Sequence, residues 1–377
     1  MTIYIINILL IIVYAILIKN RKKFIILVSI QLFLILALRS SSLGVDLANY
    51  SAGFNYIKTL NFSEMISKLH FFKIADLIYP FDYESGYVVL NWVISHLGFN
   101  FHGFLVVCAF VNIFSFSYFI YKYSDIPWLS YVILCTFGIY TYFFGIIRQS
   151  LALSIFLWSL HFLINKKRLK SILLFIIAFL CHRAIIIALP IFLFVNFKPI
   201  NRKKFLILLI LSIPFFIFSR FIYVNVIYAI MSRLGKGYVG HELQLNNLII
   251  LLYFLSSIVL IFVNFDKIKN NKMCNISLYT LLISIFIEIM GLYNDIFART
   301  MQIYNTFLLL SIPSLIKQYN NQKVIAIVKT LLVLLLIIFM VHSLKNSKIV
   351  PYEIETSNFL KEKLNVPLKK EEIWLNI

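Results

Sequence analysis

Met1-Thr-Ile-Tyr-Ile-Ile-Asn-Ile-Leu-Leu-Ile-Ile-Val-Tyr-Ala-Ile-Leu-Ile18 carries no charged side chain and runs directly into Lys19-Asn-Arg21-Lys22-Lys23. Eighteen residues at ~1.5 Å each reach ~27 Å, close to the ~30 Å apolar thickness of a bilayer. No basic stretch precedes the run and no small-residue cleavage site follows it. It is therefore expected to stay as a span and not to leave as a signal peptide. The basic cluster behind it is expected in the cytoplasm, which places the N-terminus outside.

The rest of the chain repeats this pattern. Further apolar runs lie at 24–38, 103–121, 127–145, 149–165, 169–181, 184–198, 204–221, 246–264, 275–292, 297–316 and 323–342, for about twelve candidate spans in all. The composition agrees. Of 377 residues, 61% are hydrophobic and 13% charged, whereas a soluble domain carries about 25% charged residues. Lipid must solvate most of such a chain. The expected fold class is an all-α polytopic membrane protein. One membrane domain covers 1–343, with outer loops at 39–102 and 222–245, and a polar C-terminal tail covers 344–377.

A formal charge of +20, from 35 Lys+Arg against 15 Asp+Glu, would point to nucleic acid in a soluble protein. Here the placement of the short apolar segment 86–99 decides its meaning. If that segment crosses, the clusters Lys166-Lys167-Arg168-Lys170, Lys198/Arg202/Lys203/Lys204 and Lys267/Lys269/Lys272 fall outside, against the first loop. If it dips in and returns, all the clusters are cytoplasmic. Fourteen helical residues span only ~21 Å, short of the bilayer core. A re-entrant or interfacial helix near 86–99 is therefore expected on the outer side, and nucleic acid drops out as a partner. The arms 169–181 and 184–198 are also short, so the tip Cys181-His182-Arg183 is expected below the outer surface. Non-helical backbone at that depth needs protein or a water-filled cavity around it. Cys108, Cys135, Cys181 and Cys274 have no metal-like spacing and read as free thiols.

The ionisable residues that the topology leaves unexplained gather at outer span ends. They are Arg39, Asp46, Asp82, Glu84, Arg148, His182, Arg183, Arg220, Arg233, His241, Glu242, Asp295 and Arg299. Charges at the membrane edge are functional hypotheses by default. Arg148, in Gly145-Ile-Ile-Arg148-Gln149, sits between two apolar runs, where a guanidinium needs an anionic partner such as phosphate or carboxylate. Arg299 repeats this in Tyr293-Asn-Asp295-Ile-Phe-Ala-Arg299, where pairing with Asp295 four residues back is the plain structural alternative. His182 is either a satisfied structural histidine or a general base beside a cavity. Asp46, Tyr50, Tyr83, Glu84 and Trp92 interleave carboxylates with aromatic faces, as a sugar site does, although interfacial aromatics also anchor membrane proteins. Gly235-Lys-Gly237-Tyr-Val-Gly240 matches GxGxxG without a βαβ context, and reads as a mobile loop over the site. His241-Glu242 opens HExxH, but Leu245 stands where the second His belongs. No metal or other cofactor is expected.

Arg39…Gly44-x-Asp46…Tyr50…Phe54, then Glu84-x-Gly86…Leu90, Arg148-Gln149-x-x-Ala152, the His182 hairpin and Arg299 together resemble the EpsG family. These are membrane proteins of bacterial exopolysaccharide and capsule loci, akin to the Wzy O-antigen polymerases. The resemblance covers roughly residues 30–315. The chain departs from the family at Glu84-Ser85-Gly86, where Glu-Pro-Gly is common, and at Cys181-His182-Arg183-Ala184, where Phe-His and a small residue are common. The resemblance implies a multi-pass protein of the bacterial cytoplasmic membrane with its active site facing outside. It implies a metal-independent glycosyltransferase that polymerises lipid-linked repeat units, moving a polyprenyl-diphosphate-linked glycan to a sugar hydroxyl of another unit. Its partners would be polyprenyl-diphosphate-linked oligosaccharides, membrane lipid, and a flippase and chain-length regulator of the same pathway. On that chemistry Arg148, Arg299 and Arg39 would meet the diphosphate, and His182, Asp46 or Glu84 would serve as base. Tyr50, Tyr83, Trp92 and Asp295 would contact sugar. An O-antigen-ligase-like transferase, a membrane sugar acyltransferase and a flippase of lipid-linked sugars are the competing readings. Transport is disfavoured because Glu288 is almost the only acidic residue in mid-span.

Overall fold

The computed structural model describes residues 1–67, 69, 83–228, 272–293, 295–318, 321–345 and 347–355. These residues form α1 (Thr2–Leu17), α2 (Arg21–Ala37), α3 (Leu47–Thr59), α4 (Phe62–Ser67), α5 (Ser85–His96), α6 (Phe101–Tyr123), α7 (Pro127–Thr136), α8 (Ile139–Gly145), α9 (Ile147–Ile164) and α10 (Arg168–Cys181). A 3₁₀ turn (Arg183–Ala188), α11 (Leu189–Phe194), α12 (Arg202–Ile217), α13 (Ser219–Ile222) and a π-turn (Tyr223–Ile227) follow. The last elements are α14 (Lys272–Gly291), α15 (Asp295–Asn305), α16 (Leu308–Lys317) and α17 (Gln322–Leu344).

The helix starts follow local chemistry. Asn20, Asn201 and Asn321 each accept hydrogen bonds from first-turn amides of α2, α12 and α17, and lysine or arginine follows within two residues. A basic first turn opposes the helix dipole, so the Asn cap offsets part of what the basic clusters cost. Arg21 donates to the Ile120, Tyr121 and Ser124 carbonyls at the end of α6, a cation at a helix C-terminus where the dipole favours it.

Among the described residues, four helices are long and apolar enough to cross a membrane: α6, α9, α14 and α17. The bent pairs α7–α8 (51°) and α12 to the π-turn (71°) raise the number to six if each is one span. The protein is an all-helical membrane protein, but the described residues do not supply the expected twelve spans. α1 and α2 have 16 and 17 residues. The run 127–145 breaks at Gly138, which adopts the left-handed φ of 85°. The run 297–316 breaks after Asn305, where buried polar residues interrupt the apolar pattern. The run 184–198 opens as a 3₁₀ turn. The run 246–264, Asp82, Arg233, His241, Glu242, the GxGxxG match, Lys267 and Lys269 lie outside the described residues.

α14 is central, with 78% of its most apolar window buried, and α17 is peripheral, with 22%. Exposed Ile and Leu on α10, α12 and α17 form the face that lipid covers. Segment 86–99 becomes the 12-residue α5, about 18 Å long. All four cysteines are buried free thiols.

Residues 352–355, within the expected polar tail, pair with the end of α2 and the loop after it. Arg39 and Ile354 form an isolated antiparallel bridge, and Ser41 donates its amide and hydroxyl to Glu355 at 2.7 and 2.5 Å. The Tyr352 hydroxyl donates to the Ile35 carbonyl. Residues 356–377 lie outside the described residues.

Candidate functional site

Glu84 is the N-cap of α5, yet its carboxylate makes no capping bond. It reaches the tip of the α10 hairpin instead. α10 ends at His182, whose extended backbone (φ −161°, ψ 117°) turns the chain into the 3₁₀ turn. The Arg183 amide at that turn donates to Glu84 Oε1 at 3.1 Å, which supplies the protein partner that non-helical backbone in a membrane protein requires. His182 Nδ1 lies 2.9 Å from the same oxygen. With Glu84 ionised, Nδ1 carries the proton and donates it, which leaves Nε2 as a lone-pair acceptor. Gly86 makes this approach possible, because a Cβ there would overlap the Leu180 backbone.

Arg148 opens α9 and donates from Nη1 to Glu84 Oε2 at 2.7 Å. Its guanidinium stands 5.1 Å from the Tyr83 ring centroid and 5.8 Å from that of Tyr50. Both rings are buried, and the Tyr83 hydroxyl donates to the Asn49 carbonyl. Burial alone would raise the Glu84 pKa. The His182 hydrogen bond, the Arg148 charge and the Arg183 amide outweigh it and hold the carboxyl at about 2. A carboxylate so well satisfied is a poor proton acceptor and a good orienter.

Asp46 and Tyr50 lie one turn apart at the start of α3, so Arg148 and Arg299 face the same turn. Arg299 Nη1 is 3.9 Å from Asp46 Oδ2, with side chains 48% and 39% exposed. Asp46 has a left-handed φ of 65°. The loop before it is seated on the α8–α9 junction, where a Cβ on Gly44 would overlap the Phe144 carbonyl and one on Gly145 would overlap Val45. Gln149, next to Arg148, donates to the Arg299 carbonyl at 2.8 Å. The Tyr304 hydroxyl donates to the Ile187 carbonyl at 2.5 Å.

The structure therefore gathers Asp46, Tyr50, Tyr83, Glu84, Arg148, His182 and Arg299 around one junction of α3, α5, α9, α10 and α15. It sets two expected residues apart. Arg39 is fully buried and donates to the Leu36, Phe143 and Phe144 carbonyls. It closes the ends of α2 and α8, the role that suits a cation at helix C-termini, and these bonds give it no contact with the junction. Trp92 lies eight residues along α5 from Glu84. Its indole N–H donates to the Leu60 carbonyl, and its ring stacks on His96 with centroids 4.1 Å apart. Asp295 begins α15, but its side chain lies outside the described residues. No group of three or more His, Cys, Asp or Glu among the described residues is placed to hold a metal ion.

Sequence reasoning missed the tethers, Gln149 and Tyr304, and the role of the Arg183 amide. Gln149 was visible beside Arg148, though nothing in the sequence gave its amide a target. A carboxylate, a protonated imidazole nitrogen and a guanidinium in one chain of hydrogen bonds can orient a base and hold an anionic group nearby.

The chain belongs to the EpsG family, whose model matches residues 22–354. That span includes every residue of the junction and the docked segment up to Ile354. No curated protein and no solved structure matches the chain. Membership makes this a polysaccharide-polymerase-like membrane protein, a family associated with glycosyltransferase activity.

Proposed function

We propose that the protein polymerises lipid-linked oligosaccharide repeat units on the outer face of the bacterial cytoplasmic membrane. A glycan held on polyprenyl diphosphate is transferred to a sugar hydroxyl of another lipid-linked unit. The observation that carries this reading is the double engagement of Glu84, with His182 on one oxygen and Arg148 on the other. A carboxylate that fixes the Nδ1–H tautomer makes Nε2 the proton acceptor. The acceptor hydroxyl gives its proton to Nε2 while its oxygen forms the new bond to the anomeric carbon. The bond from that carbon to the diphosphate oxygen breaks, and the electron pair leaves with the diphosphate.

The leaving group gathers negative charge, and fixed cations stabilise it most where water is scarce. Arg299 is the cation that an incoming diphosphate reaches, because its resting partner Asp46 is distant and both are solvated. Arg148 lends a second positive charge behind Glu84. Tyr50 and Tyr83 wall the guanidinium, and their rings leave Arg148 little freedom to move.

Arg148→Ala and Arg299→Ala in the host test this reading. Single-repeat lipid-linked glycan should accumulate at the expense of long chains. Long chains at normal yield with both variants stably present would show that these guanidinium groups do not hold the diphosphate. Product addressed to a lipid core in place of a growing chain would favour the ligase-like alternative.

A further inference from the structure

α15 carries Arg299, yet the backbone on either side of this helix is interrupted. It comes shortly after α14, which is followed by a turn at 292–293, and ends at Asn305, before Thr306 and Phe307 break the run into α16. The 11-residue α15 packs along α14. Two side-chain hydrogen bonds add a directional constraint on its position towards α9 and the 3₁₀ turn. Gln149 Nε2 donates to the Arg299 carbonyl at 2.8 Å, and Gln149 is buried. The Tyr304 hydroxyl donates to the Ile187 carbonyl, in the 3₁₀ turn that follows His182. One tether starts from the residue after Arg148 and the other ends five residues after His182. α15 is therefore registered against both halves of the Glu84 network, and Arg299 is half-exposed between them.

We infer that Gln149 is a positioning residue that fixes Arg299 relative to Arg148 and His182, with Tyr304 as the second tether of α15. This rests on the reading of Arg299 as a diphosphate ligand. Gln149 itself touches no substrate; it acts through the backbone of the residue that does. Gln149 directly follows Arg148, so α9 presents a cation and the anchor for a second cation from consecutive positions. A displacement of reacting groups by ~1 Å can cost about a hundredfold in rate, so a lost tether is expected to be felt although no charge is removed.

The test uses the purified full-length protein in detergent, farnesyl diphosphate as the probe, and four variants: Arg299→Ala, Gln149→Met, Tyr304→Phe and the Gln149→Met/Arg299→Ala double. Methionine keeps the length and removes the donor. Gln149→Met should weaken farnesyl diphosphate binding by about tenfold and speed hydrogen exchange in 295–305, with the global melting temperature little changed. Because the residue works through Arg299, the double variant should bind as Arg299→Ala alone does. Tyr304→Phe should repeat both effects in weaker form, and it provides the same readouts if Gln149→Met does not fold.

The inference is overturned if exchange and binding match wild type in Gln149→Met. It is equally overturned if the loss in the double variant is the product of the two single losses. If Arg299→Ala leaves binding unchanged while Gln149→Met still loosens α15, the ligand role of Arg299 fails and the tether stands.

Discussion

Two carboxylate–guanidinium pairs face the first turn of α3, and they are built differently. Glu84 and Arg148 meet at 2.7 Å with side chains 9% and 20% exposed, and Glu84 is further bound by His182 and the Arg183 amide. Asp46 and Arg299 stand 3.9 Å apart with 39% and 48% exposed. A solvated pair at that separation is worth at most ~1 kcal/mol, whereas removing one partner of a buried pair costs about 3–5 kcal/mol. The first pair is architecture that sets the tautomer of an imidazole. The second is loose enough for an anion to displace the carboxylate. On the proposed function, one site would combine a fixed proton-accepting side and an exchangeable anion-binding side.

The comparison breaks most readily at its buried carboxylate. Glu84→Gln keeps the shape but removes the buried negative charge that faces Arg148 and His182, so thermal unfolding in detergent should show a loss of about 3–5 kcal/mol together with loss of chain growth. Asp46→Asn should stay within ~1 kcal/mol of wild type. Equal losses in the two variants would erase the distinction drawn between the pairs. A smaller effect is expected from acid. Glu84 is held at about 2 against an ordinary 4.5, so its ionised form contributes stability that is complete above the ordinary value. That contribution fades as pH falls toward 2. A wild-type melting temperature that drops over this interval, against a flatter profile for Glu84→Gln, is the outcome that agrees. The smallest effect belongs to Trp92, which lies outside the junction. Trp92→Phe should cost about 1 kcal/mol for its bond to Leu60 and leave polysaccharide length unchanged. Shortened chains there would return Trp92 to the sugar site.

The helical runs and the charged residues of the junction were legible because hydropathy and intramembrane charge are properties of single segments. Arg148, Glu84 and His182 are each conspicuous where they stand. Their mutual bonds were not legible, since 64 residues separate Glu84 from Arg148 and 98 separate it from His182. The same limit explains Arg39. An arginine at a span end looks the same in sequence whether it meets a ligand or closes helix carbonyls, and only the fold brings Phe143 and Phe144 to it. The break at Gly138 was hidden inside a run of unbroken hydropathy, whereas Gln302, Asn305 and Thr306 already marked the one after Asn305. The docked segment 347–355 was hidden by its shortness: Ile349 is buried and Val350 and Tyr352 pack against the core, but so short an apolar stretch among charged residues has no helical or strand period.

The most direct test of the account is His182→Ala in the host, with lipid-linked precursors and surface polysaccharide sized side by side. Removing a general base costs about 10²–10⁴-fold in rate, so single-repeat precursors should accumulate and long chains should vanish while the protein remains in the membrane at its normal level. Long chains of normal length and yield from that variant would contradict the central claim, that Glu84 holds His182 as the base of glycan transfer.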